Sequence, residues 1–487
     1  MNSPEHNFSM QVVSRACRQS LTLRQLLAAS VILAAAPLVG KEATATSNQS
    51  AGLWKAGVAR SNITPTNSLW MAGYAARTRP AEGKAMDLWL KALALEDAAG
   101  HRAVIVSADL LAIRGGLYRR CLPRLKEKFG LEPAQILLTA SHTHCGPLLS
   151  NRRGSLDGPA GEYEAELEEK IIETAGRALA DLAPARLAAG EGKTDFAANR
   201  RNNAESKRAR LAAEGALAGP VDHAVPVLGA YRPDGRLRAV LFGYACHNTT
   251  LTGSFCQWCG DYAGFAQARL EANHPGATAV FFVGCAGDQD PVVRGSLDLA
   301  RRYGEQLAGA VQKVLSEPSA TLAPTLRTLM ETVKLNLGEV PTTTELEKLA
   351  RSQTPYVRRW ATNLQAAMKS GTPLERTHPY PVQVWQFGGR QLLITLGGEP
   401  VVDYALKFKR EFGAGTWVAG YGNDVMCYIP SLRVLNEDKP PLASPLWGYE
   451  GCQAMKVLGL PALRWADDVE VLTTASARRL VNQINGR

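Results

Sequence analysis

RAVIVSADLLAIRGGLYRRCLPRLKEKFGLEPAQILLTASHTH, residues 102–144, decides how this chain is read. Its first nine residues, RAVIVSADL (102–110), are an apolar run of strand length. GLYRRCLPRLKEKFG (116–130) then reads as an amphipathic helix closed by Gly130, a residue that enters the left-handed C-cap conformation at no steric cost. QILLTASHTH (135–144) is a second apolar run, so the stretch predicts strand, helix, strand. Two buried strands joined by a helix are the building unit of an α/β sheet.

The same alternation continues down the chain. EYEAELEEKIIETAGRALADL (162–182) sets Leu167, Ile171, Ala175, Leu179 and Leu182 on one helical face. RAVLFGYACHN (238–248) and TAVFFVGCAGD (278–288) read as strands, followed by helices over 261–273 and 296–317. VQVWQF (382–387) and QLLITLGGE (391–399), joined through Gly388-Gly389, predict a hairpin. A helix over 401–413 and a strand over 416–424 close the series. The expected fold is α/β, a mixed sheet core flanked by helices. Neither an internal repeat nor a Pro/Gly/Ser linker is visible, so residues 46–487 are read as one large catalytic domain. The polar stretch 340–380 is read as helical, a lid or a surface excursion.

Charge and termini narrow the function classes. The net charge of +10 is spread thinly, and no basic stripe interleaved with aromatics is present, which argues against a nucleic-acid partner. It leaves room for attraction to an anionic lipid surface. Arg15, Arg18 and Arg24 precede the apolar run LLAASVILAAAPLVG (26–40) and the small residues Ala43-Thr44-Ala45. That is the layout of a cleaved signal peptide, residues 1–45, so the mature protein is expected to be secreted or periplasmic. No other segment reaches membrane-spanning length. Of nine cysteines, Cys17 leaves with the signal, and Cys256 and Cys259 are the nearest candidates for a disulfide in an oxidising compartment.

Ligands in open α/β sheets gather at the carboxyl ends of strands. His142 and His144 stand at one such end, His247 at another, Asp288 and Asp290 follow a third, and Glu399 ends a fourth. Tyr421 and Tyr428 follow the last strand. Period-two alternation would put His142 and His144 on one side of their strand, one for a metal and one for the substrate. Neutral imidazole and carboxylate suit Zn²⁺, and His142, His247 and Glu399 make up the three protein ligands a catalytic zinc requires. Alone, His-x-His is most simply a polar strand end.

TASHTHCGP (139–147), ANRRNN (198–203), GYACHNTTL (243–251), FFVGCAGDQDP (281–291), GGEP (397–400) and GYEG (448–451) occur in one order along the chain. They resemble the HTHSGP, NR, FAVHPT, GD-x-SPN, GEF and YEG segments of the neutral/alkaline non-lysosomal ceramidases, over about residues 52–465. The resemblance implies a zinc-dependent amidohydrolase acting on linear amides, cleaving the N-acyl bond of ceramide-like sphingolipids to a fatty acid and a sphingoid base. It implies a lipid amide substrate, met at a membrane surface. By the same resemblance His142, His247, Glu399 and Tyr428 hold one zinc, with Tyr421 the alternative tyrosine. His144 becomes the proton carrier to the leaving amine, Arg200 (or neighbouring Arg201) polarises the scissile carbonyl, and Tyr449 helps hold the oxyanion.

Several residues depart from the family's pattern. Cys145 replaces Ser after His-Thr-His, Pro400 replaces Phe, and Asp290 stands where the family has Ser. Asp288 and Asp290 are candidates for a second cation, against the simpler reading that they cap a strand-to-helix turn. About forty residues follow the YEG match, so the C-terminal β-sandwich domain of full-length ceramidases is expected to be absent. Hydrolysis of another N-acyl amide, or a non-catalytic role in lipid or glycan binding, are the alternative readings.

Overall fold

The computed structural model describes residues 53–149, 158–317, 320–438 and 448–486, all within a single compact unit, Ser50–Arg487. Residues 1–45, the segment expected to be a signal peptide, Cys17 included, lie outside the described residues. The chain begins with an antiparallel pair, β1 (Trp54–Asn62) and β2 (Trp89–Glu96), and β3 (Arg102–Ala108) adds to it antiparallel. The helix Gly115–Phe129, closed by Gly130 at φ 68°, carries the chain to β4 (Ile136–Ala140), parallel to β3. The helix Pro159–Ala180 follows. Next come β5 (Ala183–Lys193), short β6 (Ala197–Asn199), β7 (Ala224–Tyr231) and β8 (Leu237–Tyr244). The helix Asp261–Asn273 leads to β9 (Thr278–Val283), parallel to β8, and the helix Leu297–Ser316 follows.

The main sheet runs β4-β3-β2-β1-β5-β7-β8-β9. Each half is therefore the same motif: three successive antiparallel strands, a helix, a parallel strand and a second helix. The expectation of no internal repeat is thus corrected at the level of topology. A core accepts many apolar residues of matching volume, so a repeated backbone need leave no repeated sequence.

After β10 (Gln289–Pro291), which pairs with β6, the chain builds a second sheet. It contains β11 (Leu326–Asn336), β12 (Thr377–Phe387) and β13 (Gln391–Leu396). Short β14 (Glu399–Pro400) precedes the last strand of this sheet, β15 (Trp417–Ala419), and β16 (Tyr428–Ile429) pairs parallel with β14. The β12–β13 hairpin turns at Gly388 and Gly389, both at positive φ (62° and 70°), a conformation that side chains resist. The hairpin was expected to extend one mixed sheet; it instead belongs to the second. Trp385, Phe387, Leu393 and Trp417 of that sheet pack against Trp54, Ile105, Leu241 and Phe282 of the first. Helices cover the other face of the main sheet, through Leu117, Leu125, Leu167 and Ile171 on one half and Ala266, Leu270, Leu307 and Val311 on the other. The mixed α/β architecture expected from the pattern is what the chain adopts.

The stretch 340–380 holds two helices, Thr343–Leu349 and Pro355–Lys369, around a small core of Leu346, Trp360 and Leu364. Its end is not helical, since Thr377 already belongs to β12. Among the described residues no helix is long and apolar enough to cross a membrane.

Candidate active site

β4 and β9 are opposite edges of the main sheet, and along the hydrogen-bonding order they point in opposed directions. Neighbouring strands rotate by about 20–25° each, so seven steps accumulate roughly 140–175°, enough to turn β9 nearly parallel to β4. The edges also approach: Ser107 Oγ on β3 donates to Phe281 O on β9 at 2.5 Å. Loops leaving β4, β8 and β9 can then meet at one place.

His142 and His144 lie beyond β4, which ends at Ala140. The strand alternation expected to align them is therefore absent. A left-handed turn at His142, φ 59°, does the work instead, and strain of this kind in a non-glycine residue concentrates at functional sites. It leaves His142 Nε2 3.3 Å from His144 Nε2. His247, three residues past β8, brings its ring centroid to 4.8 Å from that of His142.

Two of the three rings are anchored alike. His142 Nδ1 lies 2.7 Å from Leu111 O, and His247 Nδ1 lies 2.7 Å from Ala286 O. A carbonyl only accepts, so the hydrogen bonds assign the proton to Nδ1 in both and turn the Nε2 lone pairs inward. The β14–β16 register pairs Glu399 directly with Tyr428. Glu399 Oε2 stands 3.5 Å from His142 Nε2 and 3.4 Å from His247 Nε2, yet has no hydrogen-bond partner. The Tyr428 hydroxyl is 3.0 Å from His247 Nε2. Burial pushes His142 down to about 4, so its imidazole is neutral at neutral pH. Burial alone would raise the Glu399 carboxyl, but His142, His247 and the Tyr428 hydroxyl hold it at about 2. Buried lone pairs facing one another around an ionised, unpartnered carboxylate oxygen fit a metal cation, and the donor set is one that zinc accepts.

His144 differs from the other two. Its Nδ1 is buried without a partner, and it is the most accessible ring, 9% exposed against 1% for His142 and His247. Burial, then the two neighbouring histidines, hold its pKa well below the ordinary value. The ring is kept in place by packing: Tyr74 lies 4.7 Å away, centroid to centroid, and a Cβ at Gly73 would stand 2.3 Å from His144 Nδ1. Nitrogen atoms of His142, His144 and His247 all lie within 4.8 Å of one another, so a three-histidine metal set is also within reach.

Between the paired arginines the structure separates two jobs. Arg201 is held by Glu437, Asp438 and Glu450. Arg200 points to the histidines, with Nη1 3.4 Å from His247 Nε2, and its Nη2 is buried without a partner. Tyr449 packs edge-on against Tyr428 at 5.2 Å, with the Arg200 guanidinium 5.8 Å above its ring. The Tyr421 ring lies tilted against that of His142, centroids 4.4 Å apart, and its hydroxyl has no partner. Asp288 Oδ1 accepts from Val402 N and Oδ2 from Asn199 Nδ2, both at 2.9 Å; burial lifts its pKa to about 6. Asp290 faces Arg200, Arg208 and Arg294. Both carboxylates are thus occupied by donors, and neither caps the helix Leu297–Ser316 that follows, whose N-cap is Ser296.

Three contributors escaped the sequence reading. Glu450 bridges Arg200 and Arg201 at 2.7 Å each, and it sat unassigned inside the GYEG segment. Tyr74 and Gly73 stand far from every histidine along the chain, and nothing local in WMAGYAAR marks them. The expected Cys256–Cys259 pairing does not occur: both are buried and carry free thiols.

Residues 54–301 match the family profile of the neutral/alkaline non-lysosomal ceramidase, N-terminal. A neutral ceramidase of Pseudomonas aeruginosa is 26% identical over 249 residues, 49% of this chain and 37% of that protein. The alignment therefore spans well under half of the relative's length. A crystal structure of neutral ceramidase from Pseudomonas aeruginosa superposes with a TM-score of 0.66 at 19% identity, covering 89% of this chain and 74% of that one. A structure of a ceramidase complexed with C2 gives the same TM-score of 0.66 and covers 75% of that chain. At that identity the superpositions show a shared fold, while the profile, covering half of the chain, shows more: the chain belongs to the neutral/alkaline non-lysosomal ceramidase family.

Proposed function

We propose that this protein hydrolyses the N-acyl amide bond of ceramide-like sphingolipids, with one zinc ion held by His142, His247, Glu399 and Tyr428. The observation that carries the reading is the inward convergence of two carbonyl-anchored imidazoles on the unpartnered Glu399 carboxylate oxygen. Zinc bound there would supply Lewis acidity to an oxygen in the site. The protein's own groups account for the remainder. The free Nη2 of Arg200 is available to donate to the scissile carbonyl oxygen, and the Tyr449 hydroxyl to the oxyanion that develops from it. His144, held by packing rather than by a carbonyl, carries a proton to the leaving nitrogen, which an amide requires because the unprotonated amine leaves poorly.

A lipid partner is supported by the surface beside His144. Leu148 N donates to Trp70 O at 2.8 Å and Ala72 N to Gly146 O at 2.9 Å, so Trp70 and Leu148 end a short ladder whose second strand begins at Gly146, just past the histidine. They are 50% and 40% exposed, and a tryptophan so placed suits the boundary between headgroups and acyl chains. The test is release of fatty acid from a short-chain N-acyl sphingosine by metal-replete protein, in solution and in vesicles. Trp70→Ser is expected to impair the vesicle reaction alone. Hydrolysis of other N-acyl amides with ceramide untouched would overturn the substrate assignment, and no hydrolysis of any would overturn the enzyme.

A further inference from the structure

We infer that Tyr74, together with Arg294, is a positioning residue that braces His144 against the opposite half of the site; the catalytic part of this inference rests on the proton role given to His144 above. His142 and His144 come from the β1–β4 half, whereas His247, Asp290 and Arg200 come from β5 onward. Among the described contacts of the His144 ring, none is a hydrogen bond to backbone that could set its rotation, and its Nδ1 has no partner. Tyr74, on the loop between β1 and β2, lies against that ring at 4.7 Å and an angle of 57°.

The other end of Tyr74 belongs to the opposite half. Its hydroxyl donates to Leu251 O at 2.8 Å and accepts from Arg294 Nη2 at 2.9 Å. Arg294 Nε donates to Thr249 O at 2.7 Å, two residues from His247, and Nη1 lies 3.7 Å from Asp290, the carboxylate that also meets Arg200 at 3.3 Å. Arg77 adds a parallel tie: one guanidinium nitrogen donates to His144 O at 2.8 Å and another to Phe255 O at 2.6 Å. The path His144–Tyr74–Arg294–Asp290–Arg200 thus fixes the proposed proton carrier relative to the proposed carbonyl donor. Neither Tyr74 nor Arg294 needs to touch the reacting atoms.

Three single variants and one double variant test this: Tyr74→Leu, which removes ring and hydroxyl; Tyr74→Phe, which keeps the ring; Arg294→Gln; and the last two combined. Tyr74→Leu is expected to lower kcat about tenfold or more, since a displacement of ~1 Å can cost ~10²-fold, with KM nearly unchanged. Tyr74→Phe should recover most of that loss. The double variant Tyr74→Phe/Arg294→Gln should lose less than the product of the two single losses, because the Tyr74–Arg294 bond is already broken in each. Multiplicative losses, or a KM that rises as far as kcat falls, would overturn the brace. A readout independent of turnover is carbethoxylation of His144 by diethyl pyrocarbonate, followed by peptide mass spectrometry. It should be several-fold faster in Tyr74→Leu than in wild type, with His142 and His247 unaltered. Equal rates at His144 would reject the positioning role whether or not the protein proves to be a hydrolase; if wild type cleaves no N-acyl amide, the functional reading falls and this measurement alone decides the brace.

Discussion

His142 and His144 share their chemistry and differ in what holds the ring: a backbone carbonyl on Nδ1 for His142, packing against Tyr74 for His144. That difference separates their expected phenotypes. His142→Ala should lose the metal, measured by elemental analysis of purified protein, and all turnover with it. His144→Ala should keep the metal while kcat falls about 10²–10⁴-fold, the usual contribution of a positioned acid or base. Equal metal loss in both would make the three histidines the ligand set. Asp290 permits a prediction in pH. Burial alone would raise its carboxyl, yet Arg200, Arg294 and Arg208 hold it well below its ordinary value of 3.8. A depressed acid stabilises the fold above its unfolded pKa and loses that contribution as pH falls toward the folded one. Asp290→Asn, which leaves the buried Arg208 guanidinium with no acidic partner among the described residues, should cost about 3–5 kcal/mol at neutral pH. In urea denaturation the gap to wild type should narrow below about pH 4; a gap as wide at pH 3 as at pH 7 would refute this. The residue types at the site were legible in the sequence because imidazole and carboxylate announce metal chemistry. Tyr74 was not, because an aromatic side chain bracing a histidine looks locally like any other packed ring.

At the scale of elements, β14 and β16 are two residues long, and their register is what sets Glu399 beside Tyr428. Gly398 makes that register possible: its φ is 65°, and a Cβ there would stand 2.6 Å from Cys427 O. Gly398→Ala therefore adds about 1–2 kcal/mol of backbone strain and displaces Glu399. Its metal content is expected to fall in proportion to its activity. Gly389→Ala is the control, with φ 70° and open space around an added Cβ; it should lower stability and leave metal binding intact. If Gly398→Ala holds its metal as wild type does, the strands are not what aligns the pair. The elements with an uninterrupted apolar run or a clear helical face were legible, since those periods persist over many residues, whereas β1, β2, β5, β7 and β11, with charged, glycine or proline residues along them, were not read. The ends of β4, β8 and β9 were not: each strand stops several residues early because the chain turns toward the site, and a turn such as the one at His142 leaves no periodic trace.

For the whole molecule, the proposed metal joins residues from both halves of the main sheet and from the β14–β16 pair, so binding should stabilise the fold as a unit. A chelator is expected to lower Tm by a few degrees and zinc to restore it, since free metal at a hundred times Kd contributes about 2.7 kcal/mol. His142→Ala should show no such shift; a chelator-insensitive wild type would exclude a site that bridges the halves. By itself the sequence determined the α/β class, the positions of several strands and helices, and a short set of side chains whose chemistry suits a metal, because periodicity and residue chemistry are local properties. Only the tertiary structure decided that the sheet is a doubled motif, that a second sheet packs on it, and that Arg200 rather than Arg201 faces the histidines. These outcomes depend on accumulated strand twist and on contacts between residues far apart in the chain. So does the meaning of His142-Thr143-His144: its two rings are neighbours through a left-handed turn, and they acquire separate roles only when one meets Leu111 O and the other meets Tyr74.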